Sequence, residues 1–374
     1  MMKVGILGGG QLGRMLLQAA ANYHVDTWVL EDDEECPAAH LCRHFVKGNI
    51  RDFDAVYQFG KNLDALTIEI ENVNIEALEK LEEEGVCVYP KPSVLRIIKN
   101  KIDQKNYYKQ NQIPTASFVV TNNLLELQQQ ESFLPAVHKL AEGGYDGRGV
   151  QLLLKTEDIE YGFNAPSVLE TKINIKKEVA QIIAVDQEGN YAVYPPVEMV
   201  FNPHLNLLDY QLCPADLPKE VLWKIDAFAL SVVRNFQSPG LFAVELLVDE
   251  HNDVYVNETA PRVHNSGHHT IEAHYSSQFD MMWRIILRYP LGNTKYLLPS
   301  VMINLVGSEG KSGAVQYEGI EDVLAMENAF VHLYGKQQTR PGRKMGHVTI
   351  LSEEKQDLIH KANKVKQLVI VSAQ

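Results

Sequence analysis

The chain has 374 residues, more than one compact core usually holds, so two or three domains are expected. Its formal net charge of −13 argues against nucleic acid or an anionic membrane as a partner, because a surface that follows phosphates needs an excess of Lys and Arg. No apolar run approaches the length of a membrane span and no signal peptide is evident, so we expect a globular enzyme of the cytoplasm.

The first 95 residues alternate the sequence patterns of strands and helices. Strands are predicted near 4–7, 26–30, 65–70 and 86–89, and helices near 11–22, 52–60 and 74–84. This alternation predicts a small parallel sheet with right-handed crossovers. The segment "YPKPSVLRIIKNKIDQKNYYKQ" then combines a proline-marked break with a helix, which places a domain boundary near residues 95–100.

The first strand and helix flank a glycine-rich turn, "VGILGGGQLGR". Gly8, Gly10 and Gly13 match the G-x-G-x-x-G pattern of dinucleotide sites, and Glu31 ends the second strand where a ribose-binding acid would lie. The same glycines are needed wherever a strand turns sharply into a packed helix. The residues of this turn leave both interpretations open.

From "TASFVV", which begins at Thr115, the pattern changes to short strands separated by glycine-rich turns. A helix is predicted over 218–236, and "LFAVELLVDEHNDVYVNETAPR" is typical of a long hairpin. Antiparallel strands and then a polar C-terminal helix are predicted after Pro290. An α/β start followed by two mixed regions is unusual for a simple dehydrogenase.

The four cysteines have neither C-x-x-C spacing nor a nearby histidine set typical of zinc sites. They are Cys36, Cys42, Cys87 and Cys213. We expect plain thiols in a reducing compartment.

Two glutamates on the predicted hairpin are the most discriminating feature of the sequence. A turn centred on His251 and Asn252 would pair Glu245 directly with Glu258. Strand alternation predicts that Glu245 shares a face with Leu241, Ala243 and Leu247, and that Glu258 shares one with Val254 and Val256. Two facing carboxylates on an apolar face repel each other and lose hydration, so a compensating cation is expected.

Mg²⁺ suits such a pair, because it prefers oxygen ligands and leaves coordination positions for substrate phosphates. The alternative is that each glutamate pairs with its own basic residue, for which Arg262 is a candidate. The pattern alone does not choose between the two.

Another hairpin, "PAVHKLAEGGYDGRGVQLLL", carries four glycines within seven residues, which are Gly143, Gly144, Gly147 and Gly149. A loop of this kind is able to fold its N–H groups over phosphates and to close as a lid, and Lys139 on the preceding strand adds a positive charge. It lacks the G-K-[ST] of a P-loop. A flexible surface hairpin explains the same residues.

Two polar segments follow the second hairpin. In "GKQQTRPGRK" four basic residues, Lys336, Arg340, Arg343 and Lys344, lie close together in an acidic chain, which indicates either a 5′-phosphate site or a solvated loop. "RVHNSGHH" is either a polar loop with a capping Asn, a substrate site or a histidine metal site. Its histidines lack the spacing of a helical zinc site.

The glycine-rich hairpin, the later segment "VLETKINIKKEVA" and the paired-glutamate hairpin ending in Pro-Arg together resemble the ATP-grasp superfamily. Four motifs in order, "GGGQLGR", "GGYDGRG", "NETAPRVHNSGH" and "RPGRKMGH", resemble more closely the N5-carboxyaminoimidazole ribonucleotide synthetases. The resemblance runs from residue 4 to about residue 350. It implies a mixed α/β and α+β fold with four regions. These are a Rossmann-like N-terminal domain (1–98), a linker helix and glycine-rich lid (99–170), an ATP-grasp catalytic domain (171–290) and an antiparallel-strand region (291–374).

The resemblance also implies the nucleotide and metal ligands. ATP would contact Lys101, Lys139, the lid residues Gly143, Gly144, Gly147, Arg148 and Gly149, the adenine segment Glu170, Thr171, Lys172 and Ile173, the ribose ligand Glu178, and Asn257 and Glu258. Mg²⁺ would be held by Glu245 and Glu258. Lys101 stands where many relatives carry Arg, which puts a bidentate phosphate contact in doubt. Thr171 and Lys172 also depart from the usual residues, which matters less if the backbone binds adenine.

The implied activity is the ATP-dependent carboxylation of aminoimidazole ribonucleotide with bicarbonate in purine biosynthesis, by a homodimer. The ribonucleotide site would comprise Gln11, Leu12, Glu71, Tyr145, Asp146, Arg148, Arg262, His264, Asn265, Lys336, Arg343 and Lys344. Catalysis would use Lys139 for phosphoryl transfer, Arg262 for bicarbonate or carboxyphosphate, and Asp146 or His264 as the proton acceptor.

Three other functions remain to be weighed. A biotin carboxylase or a formate-dependent glycinamide ribonucleotide transformylase would share the ATP-grasp fold, but "GGYDGRG" and "RVHNSGH" speak against both. An NAD-dependent dehydrogenase would use the glycine turn but leaves Glu245 and Glu258 unexplained. A non-catalytic nucleotide-binding protein has no need of both carboxylates.

Overall fold

The computed structural model describes residues 1–144, 149–201 and 208–374. The N-terminal region comprises β1 (Met2–Leu7), α1 (Gln11–Ala20), β2 (Val25–Glu31), β3 (His44–Lys47), α2 (Phe53–Gly60), β4 (Ala65–Ile68), α3 (Ile75–Glu83), β5 (Cys87–Tyr89) and α4 (Pro92–Lys99). Its five strands form a parallel sheet in the order β3-β2-β1-β4-β5. The predicted parallel sheet is confirmed.

Strand β3 is the element of this sheet that the sequence pattern missed. Only two of its four residues, Phe45 and Val46, are apolar, and all four are at least partly exposed. A short, partly exposed edge strand lacks the apolar run that identifies a buried parallel strand.

A small antiparallel sheet follows the linker helix α5 (Lys101–Gln110). It is built from β6 (Phe118–Thr121), β7 (Ala136–Leu140), β8 (Val150–Leu153) and β9 (Ser167–Thr171), with the short helix α6 (Leu124–Gln128) after β6. The strand order is β6-β9-β7-β8. The glycine-rich hairpin therefore joins the edge strand β8 to its neighbour β7.

The rest of the chain surrounds a large sheet. The elements are β10 (Ile175–Val185), β11 (Tyr191–Val193), β12 (Val197–Phe201), β13 (Leu208–Cys213), α7 (Lys219–Phe236), β14 (Gly240–Asp249), β15 (Val254–Ala260), α8 (Thr270–Ala273), α9 (Gln278–Ile286), β16 (Ser300–Val306), β17 (Gly313–Glu318), α10 (Ile320–Leu324), β18 (Ala329–Leu333), β19 (Gln338–Thr339), β20 (Lys344–Leu351), α11 (Lys355–Leu368) and β21 (Ile370–Ala373).

The strands after Pro290 hydrogen-bond to the central sheet. The sheet order β15-β14-β10-β12-β13-β16-β20-β18 joins β16, β20 and β18 to that sheet through the pairing of β13 with β16. Strands β19, β17 and β21 form a separate three-stranded sheet. The domain limits, including the one at 290/291, stay predictions.

Strand β14 lies between two apolar clusters. On one face Leu241 and Ala243 pack with residues of α1 and α9, including Trp283, whose indole N–H donates to the carbonyl of Leu16 at 2.6 Å. On the other face Val244 and its neighbours pack against α7. The N-terminal region is therefore fixed against the large sheet, and the glycine turn before α1 is held in place.

The part of the chain that the structure describes contains no helix long and apolar enough to cross a membrane.

Candidate active site

The paired glutamates lie at a β-bulge. Glu245 pairs with Glu258, as predicted, but Leu246 already pairs with Val256, so Asn257 is one extra residue on β15. The residue pairs between the bulge and the turn are symmetric about His251, whereas the predicted turn is centred between His251 and Asn252. The extra residue in the bulge restores the predicted pairing of Glu245 with Glu258.

The bulge also corrects the predicted face of Glu258. Val254 and Val256 belong to the apolar cluster against α7, together with Leu246, which pairs with Val256. Glu258 pairs with Glu245, which precedes Leu246 and therefore faces the opposite side of β14. Glu258 therefore does not share a face with Val254 and Val256, because the extra residue reverses the alternation.

Both carboxylates are partly exposed rather than enclosed in the core. The side chain of Glu245 is 18% exposed and that of Glu258 is 43% exposed. Lys101 Nζ donates to Glu258 Oε2 at 2.6 Å, so Lys101 lowers the pKa of Glu258 to about 2. Burial, followed by the Glu258 charge, raises the pKa of Glu245 to about 8.

This arrangement fits a bound Mg²⁺. Lys101 compensates Glu258, while Glu245 faces the Glu258 charge and has no lysine at ion-pair distance among the residues that the structure describes. A divalent cation between the two carboxylates would offset their repulsion. The alternative pairing with Arg262 is wrong, because Arg262 binds elsewhere.

Two further lysines bind Glu170 next to the bulge residue Asn257. Lys139 Nζ lies 3.1 Å from Glu170 Oε1 and donates to Asn257 Oδ1 at 2.9 Å. Lys105 Nζ lies 3.0 Å from Glu170 Oε2 and 2.7 Å from the hydroxyl of Thr115. Glu170 thus holds one lysine of the linker helix and one of the glycine-rich hairpin.

Lys105 was missed by the sequence reasoning. It is almost fully buried, and burial lowers its pKa to about 8. Burial alone would raise the pKa of Glu170, but Lys139 and Lys105 outweigh it and hold that pKa below its ordinary value. No local motif marks Lys105, because its partner lies 65 residues further along the chain, on β9.

The predicted adenine segment follows Glu170. The N–H of Thr171 donates to the Ser117 carbonyl at 2.8 Å, and the N–H of Lys172 donates to the Pro135 carbonyl at 3.0 Å. These two N–H groups are therefore not available to a base. Within the described residues, the Ile173 N–H is the first in this segment without such a bond.

Glu178, the predicted ribose ligand, lies on β10 beside Leu247 of β14. Burial raises its pKa, while Lys139 opposes that change. Glu178 is also among the charges that raise the pKa of Glu245.

The predicted lid is described in part. Gly143 and Gly149 have positive φ values of 78° and 75°, a conformation that favours glycine. Gly144 precedes the gap, and the predicted sites Tyr145, Asp146, Gly147 and Arg148 lie outside the described residues.

Two predicted substrate residues meet between distant parts of the chain. The guanidinium of Arg262 contacts both carboxylate oxygens of Glu71, at 2.9 and 3.0 Å, and its third nitrogen donates to the Val263 carbonyl at 3.0 Å. The side chain of Arg262 is 16% exposed. This ion pair, with one hydrogen bond from Nη2 to Glu71 Oε2, joins the N-terminal region to the segment after β15.

His264 and Asn265 follow Arg262. His264 Nε2 lies 3.7 Å from Glu245 Oε1, and its Nδ1 lies 2.9 Å from the hydroxyl of Ser266. Both polar atoms of the Asn265 side chain are buried and have no hydrogen-bond partner among the described residues. Such an amide is able to hydrogen-bond a ligand, so Asn265 stays a predicted substrate residue.

The glycine turn is already filled by protein carboxylates. Glu69 accepts from the N–H groups of Gly10 and Gly13, both at 2.9 Å, and Glu31 accepts from that of Gly9 at 2.9 Å. Groups that would bind a pyrophosphate are thus occupied. This contradicts the dinucleotide interpretation and the ribose-binding role of Glu31.

The two predicted ligands in this turn are placed differently. The Leu12 side chain is buried in the core, so only its backbone could face a substrate, whereas Gln11 is partly exposed. Their N–H groups are the two in the first turn of α1 that Glu69 does not take.

The basic loop lies beside the start of α1. Lys336 Nζ donates to the Lys344 carbonyl at 2.7 Å, and Arg343 donates to the Gln338 carbonyl at 2.6 Å. A Cβ built at Gly335 would lie 3.4 Å from an Arg14 guanidinium nitrogen, so this cation, which the sequence reasoning missed, joins the loop. Arg340 is exposed.

Comparisons with known proteins agree with this geometry. Three family models match in order: the ribonucleotide synthetase preATP-grasp domain over residues 1–99, the ATP-grasp domain over residues 106–279 and the phosphoribosylaminoimidazole carboxylase C-terminal domain over residues 300–361. An N5-carboxyaminoimidazole ribonucleotide synthase from Aquifex aeolicus is 33% identical, over 99% of this chain and 97% of its own. The chain belongs to the N5-carboxyaminoimidazole ribonucleotide synthase family. The predicted ATP-grasp fold and the predicted family are confirmed.

Solved structures of family members share the whole fold. The synthetase from Thermotoga maritima is 34% identical with a TM-score of 0.93, and each chain is covered completely. The enzyme from Aspergillus clavatus, solved with ADP and 5-aminoimidazole ribonucleotide, is 31% identical with a TM-score of 0.88 over 98% of each chain. The chain spans 64% of a chloroplastic phosphoribosylaminoimidazole carboxylase from Vigna aconitifolia, to which it is 35% identical over 93% of its own length.

Proposed function

We propose that this protein carboxylates 5-aminoimidazole ribonucleotide with bicarbonate and ATP, and forms N5-carboxyaminoimidazole ribonucleotide, ADP and phosphate. The observation that carries the proposal is the facing pair Glu245–Glu258, of which Lys101 compensates one carboxylate, with the Arg262–Glu71 pair following soon after β15. We infer a phosphoryl-transfer site at the two glutamates and an acceptor site at Arg262. The ligands of the Aspergillus clavatus relative support the choice of substrates.

The phosphates of ATP would contact Lys101 and Lys139. Both ammonium groups now face carboxylates, Glu258 and Glu170, at 2.6 and 3.1 Å. Phosphate oxygens would replace those partners in part, while Glu170 and Lys105 keep Lys139 near its position. Phosphoryl transfer depends on positioning and charge neutralisation more than on a strong base, which suits this set.

Glu245 and Glu258 would hold Mg²⁺. When bound, the ion supplies charge stabilisation to the transferring phosphoryl group. Asn257, presented by the same bulge, would stay near the phosphates through its bond to Lys139.

The reaction would proceed in two balanced steps. A bicarbonate oxygen forms a bond to the γ-phosphorus while the bond to the ADP oxygen breaks, giving carboxyphosphate. The exocyclic amine of the ribonucleotide then forms the N–C bond as phosphate leaves, directly or after release of CO₂ within the site, and the amine proton passes to a base. Arg262 would orient bicarbonate, and His264 or Asp146 would accept the proton.

Water exclusion would matter in this mechanism, because water hydrolyses carboxyphosphate. The glycine-rich hairpin between β7 and β8 would cover the phosphates as a lid. The 5′-phosphate of the ribonucleotide would bind between the start of α1 and the basic loop with Lys336 and Arg343. We further propose a cytoplasmic homodimer, which the family resemblance implies.

An assay of ADP release with each substrate omitted in turn tests the function. We expect ADP release to require ATP, bicarbonate and aminoimidazole ribonucleotide together. Release that needs biotin or formate instead, or release that ignores the ribonucleotide, would contradict the proposal and favour another ATP-grasp activity.

A further inference from the structure

A second cluster of metal-binding residue types lies outside the site described above. Cys213 ends β13, while His269 and His274 flank the short helix α8, one on each side. Each residue offers a ligand atom, and these atoms all lie within 4.8 Å of one another. Cys213 Sγ is 4.0 Å from His274 Nε2.

The cluster is buried and its polar atoms are poorly satisfied. Cys213, His269 and His274 are 2%, 2% and 4% exposed. His269 Nε2 and His274 Nδ1 have no hydrogen-bond partner among the described residues. Unpaired imidazole nitrogens in the interior lose hydration without compensation. A cation bound to His269 Nε2 would recover that cost at His269, while His274 would present Nε2, the nitrogen beside Cys213 Sγ.

We propose that Cys213, His269 and His274 form a binding site for one divalent cation of the zinc class. Thiolate and imidazole are the ligands that Zn²⁺ prefers, whereas Mg²⁺ prefers oxygen, so this site and the Glu245–Glu258 site select different ions. A water molecule would complete a four-coordinate shell. The thiol proton leaves to solvent when the cation binds.

A modest contraction of the cluster would complete the geometry. Ligand atoms of a tetrahedral zinc site lie roughly 3.3 to 3.6 Å apart, so the three side chains need to approach by about 1 Å. Cys213 lies at the end of a strand, and the two histidines lie on either side of a four-residue helix. Side chains at such positions change rotamer more easily than side chains inside one strand.

Gln211 decides which nitrogen of His269 is used. Gln211 Nε2 now lies 2.9 Å from His269 Nδ1 and donates to the Ser266 carbonyl at 2.6 Å. Ligation through His269 Nε2 requires the proton on Nδ1, so the Gln211 amide would rotate and present its oxygen. That oxygen is buried and has no partner among the described residues. This rotation would break the hydrogen bond from Gln211 to the Ser266 carbonyl, which offsets part of the free energy of cation binding.

Titration of the metal-free full-length protein with Co²⁺ tests the site. We expect one Co²⁺ per chain with thiolate-to-cobalt charge-transfer absorption, displaced by Zn²⁺ and not by Mg²⁺. Cys213→Ser should abolish the charge-transfer band and weaken Co²⁺ binding by more than the ~10 to 100-fold that loss of an outer partner costs. Cys42→Ser, which changes a half-buried thiol elsewhere, is the matched control.

Two further variants separate this proposal from folding defects and from the proposed function. Glu258→Gln should lose carboxylation and keep the cobalt band. His274→Ala should lose the band while ATP binding, measured calorimetrically, stays as in wild type. Absence of the band in wild type with excess Co²⁺, or its persistence in Cys213→Ser, would overturn the proposal.

Discussion

In both the glycine turn before α1 and the hairpin of β14 and β15, the sequence pattern and the structure suggest different roles. The turn has the pattern of a nucleotide site, yet Glu31 and Glu69 already bind its N–H groups. The hairpin has an ordinary strand pattern, yet it holds two facing carboxylates of which Lys101 compensates only one. The glycine motif therefore predicts the shape of the backbone turn, whereas the repulsion between Glu245 and Glu258 indicates where a cation would bind.

Removal of a carboxylate from the hairpin should have the largest effect. Glu258→Ala takes away a metal ligand and the partner of Lys101, so we expect turnover to fall by about 10³-fold or more, as for loss of a principal electrostatic group. Steady-state ADP release measures it. Glu250→Ala, at the exposed turn of the same hairpin, should leave turnover unchanged. Full activity of Glu258→Ala with Mg²⁺ would refute the metal assignment.

Removal of the carboxylate that binds the glycine turn should lower the stability of the fold more than the activity. Glu69→Ala leaves the N–H groups of Gly10 and Gly13 without their acceptor, so the free energy of unfolding should drop by about 2 kcal/mol. Urea denaturation measures the change, with Glu35→Ala, an exposed neighbour, as control. Sulfate should restore part of the loss in Glu69→Ala alone, because the vacated groups form an anion site. A response to sulfate that is the same in wild type would contradict the filled-turn interpretation.

The pH dependence of metal binding should distinguish the hairpin from the turn. Because the folded-state pKa of Glu245 is raised to about 8, this carboxyl binds a proton more tightly when folded. It therefore favours folding of the metal-free protein at low pH, and that contribution is lost as pH rises toward about 8. A cation must displace this proton, so the Mg²⁺ affinity of the ADP complex should rise about tenfold per pH unit below the pKa.

Calorimetric titration of the ADP complex with Mg²⁺ on both sides of that pKa measures this slope. Glu245→Gln should bind Mg²⁺ more weakly and without the slope. Glu178→Gln keeps both hairpin carboxylates and should retain it. A wild-type affinity that does not change with pH would show that Glu245 is not a ligand.

Much of this molecule follows from its sequence. Alternating apolar runs predict β1, β2, β4 and β5 and the helices between them, because those elements bury regular faces. The pairing of Glu245 with Glu258 also follows from strand periodicity, although the register at the turn does not. The family resemblance supplies the domain order.

The remaining features depend on contacts between residues far apart in the chain. Lys105 becomes notable only when Glu170 lies beside it, and Arg14 only when the loop at Gly335 approaches α1. Cys213 looked like a plain thiol because the histidines near it follow more than 50 residues later, on both sides of α8. The bulge at Asn257 has no local pattern that distinguishes it from a regular strand.

That bulge decides which face of the hairpin Glu258 occupies. If β15 kept Asn257 and continued in the register set at the turn, Glu258 would pair with Val244, which places the carboxylate in the apolar cluster against α7. The extra residue shifts the pairing by one position and brings Glu258 opposite Glu245 instead. The candidate metal site therefore depends on one irregularity of backbone pairing, and the same sequence in a regular ladder would turn one of its two carboxylates into the core.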